Sequence, residues 1–521
     1  MAAFRYQTFT IVWIATVVSN IGGWMYSAAA GWLMTNLTRD AFVVSLVQVA
    51  SNAPLFLFAL IAGALSDTMD KRRLLIVGES ATTVLSAAFA AMVLLNLVTP
   101  TSLLWFIFLI SIASALTSPA WQAVVPSLVP KAVLPSAISA NSAGFNISRA
   151  IGPALAGAII GPFGIAMPFV INALSNLGVI GALVRWRPVA DPSALSPERF
   201  TGAIGIGLRY AVNNSGLRRT LVRTVAFFAF ASAYWALLPL VARTRISGGA
   251  ELYGILLGAI GLGAVGGALL MPYWKVRIGA DKLVAMASAG TAVALVLFGV
   301  AREPFVALIA SVIAGVSWIA GVATLNVSAQ EALPNWVRGR GLAMYITVMF
   351  GSMTIGSAIW GQLASITSLS WAHFAAAAGI AVAIPLTWRW KLPTEGKLDL
   401  TPSMHWPAPV ISHAITGSDG PVLVTVEYHL TDESKRHPFL VAMSQLRQER
   451  LRDGAYAWGV FEDTAQRGCF LETFFVSSWS EHLRQHDRVT NADASIQQQM
   501  SLLLREEPTI THLIAPDYYV L

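Results

Sequence analysis

Charge is scarce in this sequence. Only 12% of its 521 residues are Asp, Glu, Lys or Arg, about half the share that a soluble chain of this size carries. That deficit excludes an ordinary water-soluble globular protein and points to a surface that faces lipid. Cysteine is nearly absent, and the single Cys469 excludes an intrachain disulfide. No Gly-x-x-x-x-Gly-Lys-Ser/Thr loop occurs, which excludes a P-loop ATP-driven pump within this chain. Neither a dinucleotide fingerprint nor a zinc-finger spacing is present. The net charge of +7 sits in short clusters between apolar stretches, so nucleic acid is not an expected partner. The run from Phe9 has almost no charged n-region and no small-residue cleavage site within reach, and it reads as a retained span rather than a removed signal peptide.

What is abundant is apolar sequence, 55% of the residues, with a mean hydropathy of +0.63. A membrane span needs about 20 predominantly apolar residues. Twelve segments qualify, at 9–34, 43–66, 74–97, 101–124, 137–160, 164–184, 219–242, 251–273, 281–300, 304–328, 340–363 and 370–389. The alternative count is ten or eleven, with a short Gly-rich segment re-entrant. The lipid bilayer is therefore an expected partner.

Orientation follows from the basic residues. One set of loops holds Lys71, Arg72, Arg73, Lys131, Arg185, Arg187, Arg199, Arg209, Arg218, Lys275, Arg277, Lys282, Arg338 and Arg340, and the alternate set only Arg39, Arg243, Arg245 and Arg302. The first set is read as cytoplasmic, which places both termini in the cytoplasm. A shift of 204 residues lays Gly63 on Gly267, Pro130 on Pro334, Gly152 on Gly356 and Gly157 on Gly361. That shift predicts two parallel six-helix halves with a substrate cavity between them.

The expected organisation is a six-helix half at 1–190, a linker at 191–216, a second half at 217–392, a linker at 393–420 and a soluble module at 421–521. The module reads as βαββαβ, with strands at 422–430, 455–461, 469–476 and 511–515 and helices at 434–452, 480–488 and 492–505. The fold class is an all-α polytopic membrane protein with a small C-terminal α+β ferredoxin-like domain.

The join of the second and third spans holds Gly63, Asp67, Asp70 and the run Lys71, Arg72, Arg73. It resembles the signature loop of the major facilitator superfamily, in its siderophore-exporter branch, which is enterobactin-exporter-like and includes the transmembrane secretion effector group. Thr68 and Asp70 depart from the common pattern. The resemblance implies a cytoplasmic latch, with Asp67 at the positive end of the eleventh helix near Gly339, Arg340 and Gly341. The plain alternative is a positive-inside anchor. In the fifth span, Gly144, Gly152, Pro153 and Gly157 resemble the antiporter motif of exporters in that superfamily, with Ala156 where glycine is commoner. The motif implies export. Its plain alternative is generic small-residue packing.

Candidate substrate or coupling residues are those costly to keep inside a span. Arg149 shares a helix face with Ser142, Asn146 and Pro153. It is read either as a contact for an anionic or catecholate substrate or as a structural arginine paired to Glu79 or to backbone carbonyls. Glu79 is the one carboxylate clearly inside a span and is a candidate proton carrier, or a side chain that snorkels to the surface. Trp24 and Trp235 are candidate cavity aromatics, with Tyr26 and Tyr234 nearby, while Trp32 reads as an interface-belt residue. Gln48, Asn52 and Asn326 are polar residues in spans, as packing glue or ligand contacts.

The tail resembles the antibiotic-biosynthesis-monooxygenase group of small, often dimerising domains, on a Trp-x-x-His pattern at Trp479 and His482. His482 and His486 have metal-pair spacing, but no third ligand is evident, and the pair reads as a solvated face. No metal, cofactor or catalytic residue is expected. The combined reading is a bacterial inner-membrane, multi-pass transporter that exports a small siderophore-like or amphipathic molecule by alternating access, with proton coupling and a homodimer through the tail. The alternatives are a multidrug or metabolite antiporter, and a membrane-tethered enzyme with a catalytic tail.

Overall fold

The computed structural model describes residues 2–186, 208–334, 336–393, 399, 401, 403 and 415–515. Among the described residues, twelve helices are long and apolar enough to cross a membrane. They are α1 (Gln7–Leu37), α2 (Ala41–Thr68), α3 (Lys71–Leu94), α4 (Pro100–Val124), α5 (Leu134–Phe163), α6 (Met167–Arg185), α7 (Ser215–Leu240), α8 (Ala250–Ile278), α9 (Ala280–Val300), α10 (Pro304–Glu331), α11 (Arg338–Ile366) and α12 (Leu369–Thr387). Their ends are set by short polar caps. The Asp40 carboxylate accepts from the Phe42 amide at 2.9 Å, and Asp70 from the Arg73 amide at 2.8 Å. A Thr99–Ser102 capping box opens α4. Pro239 cannot donate a helical hydrogen bond, and α7 widens just after it into a π-turn at Val241–Arg245. Large apolar side chains such as Val77, Leu94, Leu269 and Val276 are exposed along these helices, as lipid-facing positions are.

Two compact units make up the chain. The first comprises Met1–Glu198, Thr220–Val327 and Ala343–Leu392. Within it, α1 packs on α5 and α6, α2 on α4, and α3 on α4 and α6, while α9 packs on α12. Polar pairs tie α1, α3 and α6 together. The Ser19 hydroxyl donates to Asn176 Oδ1 at 2.6 Å, and Asn172 Nδ2 donates to Ser86 Oγ at 2.9 Å.

The two six-helix halves meet along two glycine seams. A Cβ on Gly157 of α5 would lie 2.8 Å from the Ala250 carbonyl oxygen of α8, and one on Gly254 would lie 2.7 Å from the Pro153 carbonyl oxygen. Only glycine permits that backbone approach. On the other seam, a Cβ on Gly361 of α11 would overlap Ser45 of α2. The repeat seen in the sequence is thus kept in the packing. Gly152 faces α1 at Trp24 and Ile21, and Gly356 faces α7 at Ala229 and Ser232. Gly157 faces α8, and Gly361 faces α2. Polar contacts close the same end of the bundle, where α1 terminates. The Ser365 hydroxyl donates to Asp40 at 2.8 Å, and the Arg243 guanidinium reaches Asn36 and, at 3.1 Å, Thr35. Trp32 stacks on Tyr253 at 6.0 Å, with Arg243 5.5 Å from its ring. Trp32 is buried, so it packs between the halves instead of standing in a lipid-facing belt, because a cation and a second ring offer it more contact than lipid does.

The second unit comprises Arg199–Arg219, Ser328–Leu342 and Pro393–Leu521. Its sheet holds β1 (Val422–His429), β2 (Tyr456–Glu462), β3 (Cys469–Val476) and β4 (Thr509–Ile514) in the antiparallel order β2-β3-β1-β4. The helices are α13 (Arg436–Asp453), α14 (Trp479–Arg488) and α15 (Asn491–Ser501). Alternate β1 residues Val422, Val424, Val426 and Tyr428 face the core with Phe439, Met443, Phe470 and Phe474, the ferredoxin-like arrangement. The last helix stops at Ser501 and not at 505. The chain there turns back along the end of β1, where the Thr431 amide donates to the Leu503 carbonyl and the Arg505 amide to the His429 carbonyl.

Candidate functional site

Two adjoining cavities lie in the first unit. One, of about 790 Å³, runs from Phe9, Val12 and Trp13 near the start of α1 to Tyr26 and Ala30, with walls from α3, α4, α5 and α6. The other, of about 420 Å³, is lined by both halves, with residues from α1, α2, α5, α7, α8, α10 and α11. They share Trp24, Ser27, Val47, Ser51 and Phe145. Both volumes fall within the range of small-molecule sites.

Arg149 lines the smaller cavity. Its guanidinium carbon lies 5.4 Å from the ring centre of Trp235 and 5.6 Å from those of Trp24 and Trp318. Three helices, α1, α7 and α10, thus supply one aromatic face each. Gly152 brings the first of them close, since a Cβ there would lie 2.5 Å from Trp24 Cβ. Phe228 meets Trp318 edge-on at 5.3 Å and sets the third. Among the described residues Arg149 makes no ion pair, and its Nε is buried without a hydrogen-bond partner. Three π-faces offset part of the cost of holding a cation here, yet they leave its hydrogen-bonding edge unsatisfied. The arrangement suits an anion entering the cavity, because a carboxylate or catecholate oxygen would complete that edge.

Trp235, Trp24, Arg149 and Asn52 come together in this smaller cavity, with Gln48 and Pro153. The Asn52 Nδ2 is buried and has no hydrogen-bond partner. Asn146 and Glu79 line the larger cavity instead. Asn146 donates to the Ser142 carbonyl at 2.9 Å, and Glu79 accepts from the Trp121 indole at 3.0 Å. The Glu79–Arg149 pair weighed from the sequence is not formed. Tyr26 is packed against Phe89 and Phe169, and Tyr234 against Phe298. Trp318 was not among the sequence candidates. Its signal is a tryptophan at the middle of a span, where belt residues do not occur.

In the signature segment, Gly63 has open space around its Cα, and Asp70 caps α3. Arg72 donates through Nε to the Leu183 carbonyl at 2.8 Å and through Nη2 to the Val184 carbonyl, so it fastens α3 to the C-terminal end of α6. The Asp67 side chain, on which the latch reading rests, lies outside the described residues, as do those of Thr68 and Lys131. In the antiporter-like motif, Gly144 packs on Trp13 and Val17 of α1, so its glycines serve both α1 and the seam with α8.

The second unit holds a histidine cluster. His482 is 1% exposed, so it does not stand on a solvated face. Trp479 covers it, and His512 of β4 supplies the third imidazole that the sequence reading did not find. Ring centres are 5.1 Å apart for His482–His486 and 4.6 Å for His482–His512. Burial, then the neighbouring His512 and His486, pushes His482 down to about 3. Nearby, Arg452 binds both Asp453 at 2.8 Å and Asp493 at 2.7 Å. Burial pushes Glu449 up to about 9, with Asp493 adding and Arg452 and Arg450 opposing. Trp336, between α10 and α11, lies 4.5 Å from the Arg488 guanidinium, and Tyr210 donates to the Ala332 carbonyl at 3.2 Å.

Comparison with known proteins agrees with this architecture. Over 255 residues the chain is 26% identical to the staphyloferrin A transporter of Staphylococcus aureus (strain NCTC 8325 / PS 47), a match covering 48% of this chain and 64% of that one's length. Over 375 residues it is 25% identical to the multidrug efflux pump Tap of Mycolicibacterium fortuitum, covering 69% of this chain and 90% of Tap. The crystal structure of the nucleoside transporter NupG superposes with a TM-score of 0.57 at 12% identity, over 74% of this chain and 98% of that one, which shows the fold alone. The family described as "Transmembrane secretion effector" matches residues 1–518. The chain therefore belongs to the transmembrane secretion effector family and is a multi-pass membrane transporter of the major facilitator superfamily.

Proposed function

We propose that this transporter exports a small anionic molecule with aromatic or amphipathic character, of the siderophore-like kind, across the bacterial inner membrane by alternating access. The observation that carries the reading is Arg149, held by three tryptophans in a cavity lined by both halves, with an unsatisfied Nε and, among the described residues, no carboxylate partner. A neutral apolar drug has no use for such a cation. An anion with a flat ring uses both the guanidinium and the tryptophan faces. Direction is supported by the glycine–proline motif and by the relatives, which carry the names of a staphyloferrin A transporter and a multidrug efflux pump.

In this reading the halves are closed at the outer end, where α1 terminates, and the larger cavity leads in from the cytoplasmic side. Both termini lie in the cytoplasm, from the distribution of Lys and Arg. Glu79, inside the larger cavity, is the proton carrier of the proposal. The Asp67 latch closes the cytoplasmic side in the opposite state. The tail regulates transport and pairs with a second copy, as its resemblance to small dimerising domains implies.

The test is uptake into everted vesicles of carboxylate and catecholate siderophores and of neutral dyes, with and without a proton gradient. Arg149→Ala is expected to suppress anion transport while sparing the neutral dyes, and Glu79→Gln to abolish gradient dependence. Equal loss for anionic and neutral compounds in a folded Arg149→Ala protein would make the arginine structural and end the substrate reading.

A further inference from the structure

A second cluster of chemistry-bearing residues lies in the tail, apart from the transport cavities and from the buried histidines. On antiparallel strands β1 and β3, His429 stands directly opposite Cys469. Glu427 lies two residues earlier on β1, on the same face of the sheet. The three ligand atoms all lie within 4.8 Å of one another, the one such group of three metal-capable side chains among the described residues. Cys469 Sγ is 3.5 Å from Glu427 Oε1, and His429 Nε2 is 3.2 Å from the same oxygen. Glu506 Oε1 lies 3.9 Å from His429 Nε2.

These separations have a definite chemical meaning. A tetrahedral ion with bonds of about 2.0–2.3 Å to O, N and S sets its ligand atoms roughly 3.3–3.7 Å apart. The Cys–Glu distance of 3.5 Å falls inside that range and the His–Glu distance of 3.2 Å just below it. The scaffold is rigid, because two ligands come from β1, one from β3, and the fourth from the chain that is hydrogen-bonded along the end of β1 through the Arg505 amide and the His429 carbonyl. Cys469 is buried, whereas the side chains of His429, Glu427 and Glu506 are 31%, 44% and 63% exposed. An ion would therefore have a fixed thiolate on one side and an entry path on the other.

We propose that Glu427, His429 and Cys469, with Glu506 as the fourth ligand, form a binding site for a divalent transition metal of the zinc class. The donor set selects the class. A thiolate and an imidazole suit Zn²⁺ or Co²⁺ and do not suit Mg²⁺ or Ca²⁺, which take oxygen ligands. An ion here cross-links β1, β3 and the 502–506 segment, so occupancy stiffens one end of the tail domain. The transporter thereby carries a metal-responsive element separate from its transport cavities.

Cys469 is the only cysteine in the chain, which makes the test selective. Tag-free full-length protein in detergent, reduced and with its thiol titrated, is mixed with Co²⁺ in the absence of other metals. The expected result is a thiolate-to-Co(II) charge-transfer band that saturates at one ion per chain, is displaced by Zn²⁺ and is untouched by Mg²⁺. Cys469→Ser removes the band. Glu427→Gln and His429→Ala, each verified as folded by its elution profile, keep the thiol and weaken binding at least about tenfold. Binding at His482, His486 and His512 gives no thiolate band, so it is distinguished by the spectrum. Absence of the band with a confirmed free thiol, or a band that Glu427→Gln and His429→Ala both leave at full affinity, overturns the proposal.

Discussion

Substituting Gly157 by alanine places a methyl group where the structure has no space for one. The added Cβ would lie 2.8 Å from the Ala250 carbonyl oxygen, 3.1 Å from Gly254 Cα and 3.2 Å from Glu251 Cα, all of them backbone atoms of α8. No side chain can rotate away, so the helices must part by several tenths of an ångström. Overpacking of this kind costs about 1–3 kcal/mol. The higher helix propensity of alanine acts equally in every state in which α5 is helical, so it cancels from the conformational equilibrium. In the proposed alternating access, the cost falls only on the state with the α5–α8 seam closed, and it shifts the population of the two states by about 5–150-fold.

Site-specific labelling reads that shift. In a Cys469→Ser background the chain has no native thiol, and Gln48→Cys, a residue that lines the smaller cavity, becomes the only reporter. A membrane-impermeant maleimide is applied from each side. Gly157→Ala is expected to raise labelling from the side where α1 ends and to lower it from the other. Gly361→Ala, whose Cβ would overlap Ser45 on the other seam, is expected to act in the same direction, and the double variant to add, since the seams share no partner. Gly266→Ala, in a helix position with nothing within 4 Å, is the control and should behave as the parent. Unchanged labelling in Gly157→Ala, or an equal change in Gly266→Ala, refutes the view that these glycines set the closed end.

Two further outcomes follow from the site and the tail. Trp318→Leu removes one of the three rings around Arg149, worth about 0.5–2 kcal/mol, so KM for an anionic substrate should rise about 2–30-fold with Trp318→Phe restoring most of the loss; equal KM values in the two variants would exclude the cation–π role. Glu449 keeps its proton up to about 9 in the folded tail, whereas an unfolded chain releases it near pH 4.3, so the folded state binds more protons across that interval and loses stability as pH rises through it. Glu449→Gln should flatten that decline in hydrogen exchange of peptides from α13 and α15 of the full chain, and an unaltered slope would show that Glu449 does not titrate in this way.

Much of the transporter was legible from the sequence because lipid imposes a simple rule. Every span must be a long apolar helix, so composition alone locates twelve of them. Their limits fell short by a few residues wherever polar residues such as Gln7 and Arg185 extend a helix beyond the apolar stretch. The 204-residue repeat was readable because glycines are fixed by backbone approach, and the same approach recurs in each half. Individual side-chain meetings were less accessible. Arg149 and Glu79 are the costly charges of the spans, so each attracts attention, but which face meets which partner depends on helix rotation. Glu79 turned out to face Trp121 and not Arg149. Trp318 enters from the tenth helix, whereas the cavity aromatics expected from the sequence lie on the first span of each half. The Glu427, His429 and Cys469 group was invisible for a similar reason. Forty residues separate His429 from Cys469, and only the antiparallel register places them opposite each other.

The placement of Arg149 and Gly157 on one helix joins these observations into a mechanism. Pro153 lies between them and removes one hydrogen bond from the α5 ladder, so the seam-bearing and cation-bearing turns are joined at a weakened point. In the alternating access proposed above, opening of the α5–α8 seam takes α5 away from Ala250 and Gly254. The Arg149 guanidinium is shared among α1, α7 and α10, which come from both halves, so its cage cannot survive a separation of the halves unchanged. On the proposed function, an anion bound to Arg149 replaces the contacts that the cage gives up. The free energy of anion binding is then available to favour opening, which is the differential affinity that a substrate-driven change of state requires. On the same proposal, losing the ring contacts without such an anion leaves an unpaired cation in the cavity, which favours the closed halves.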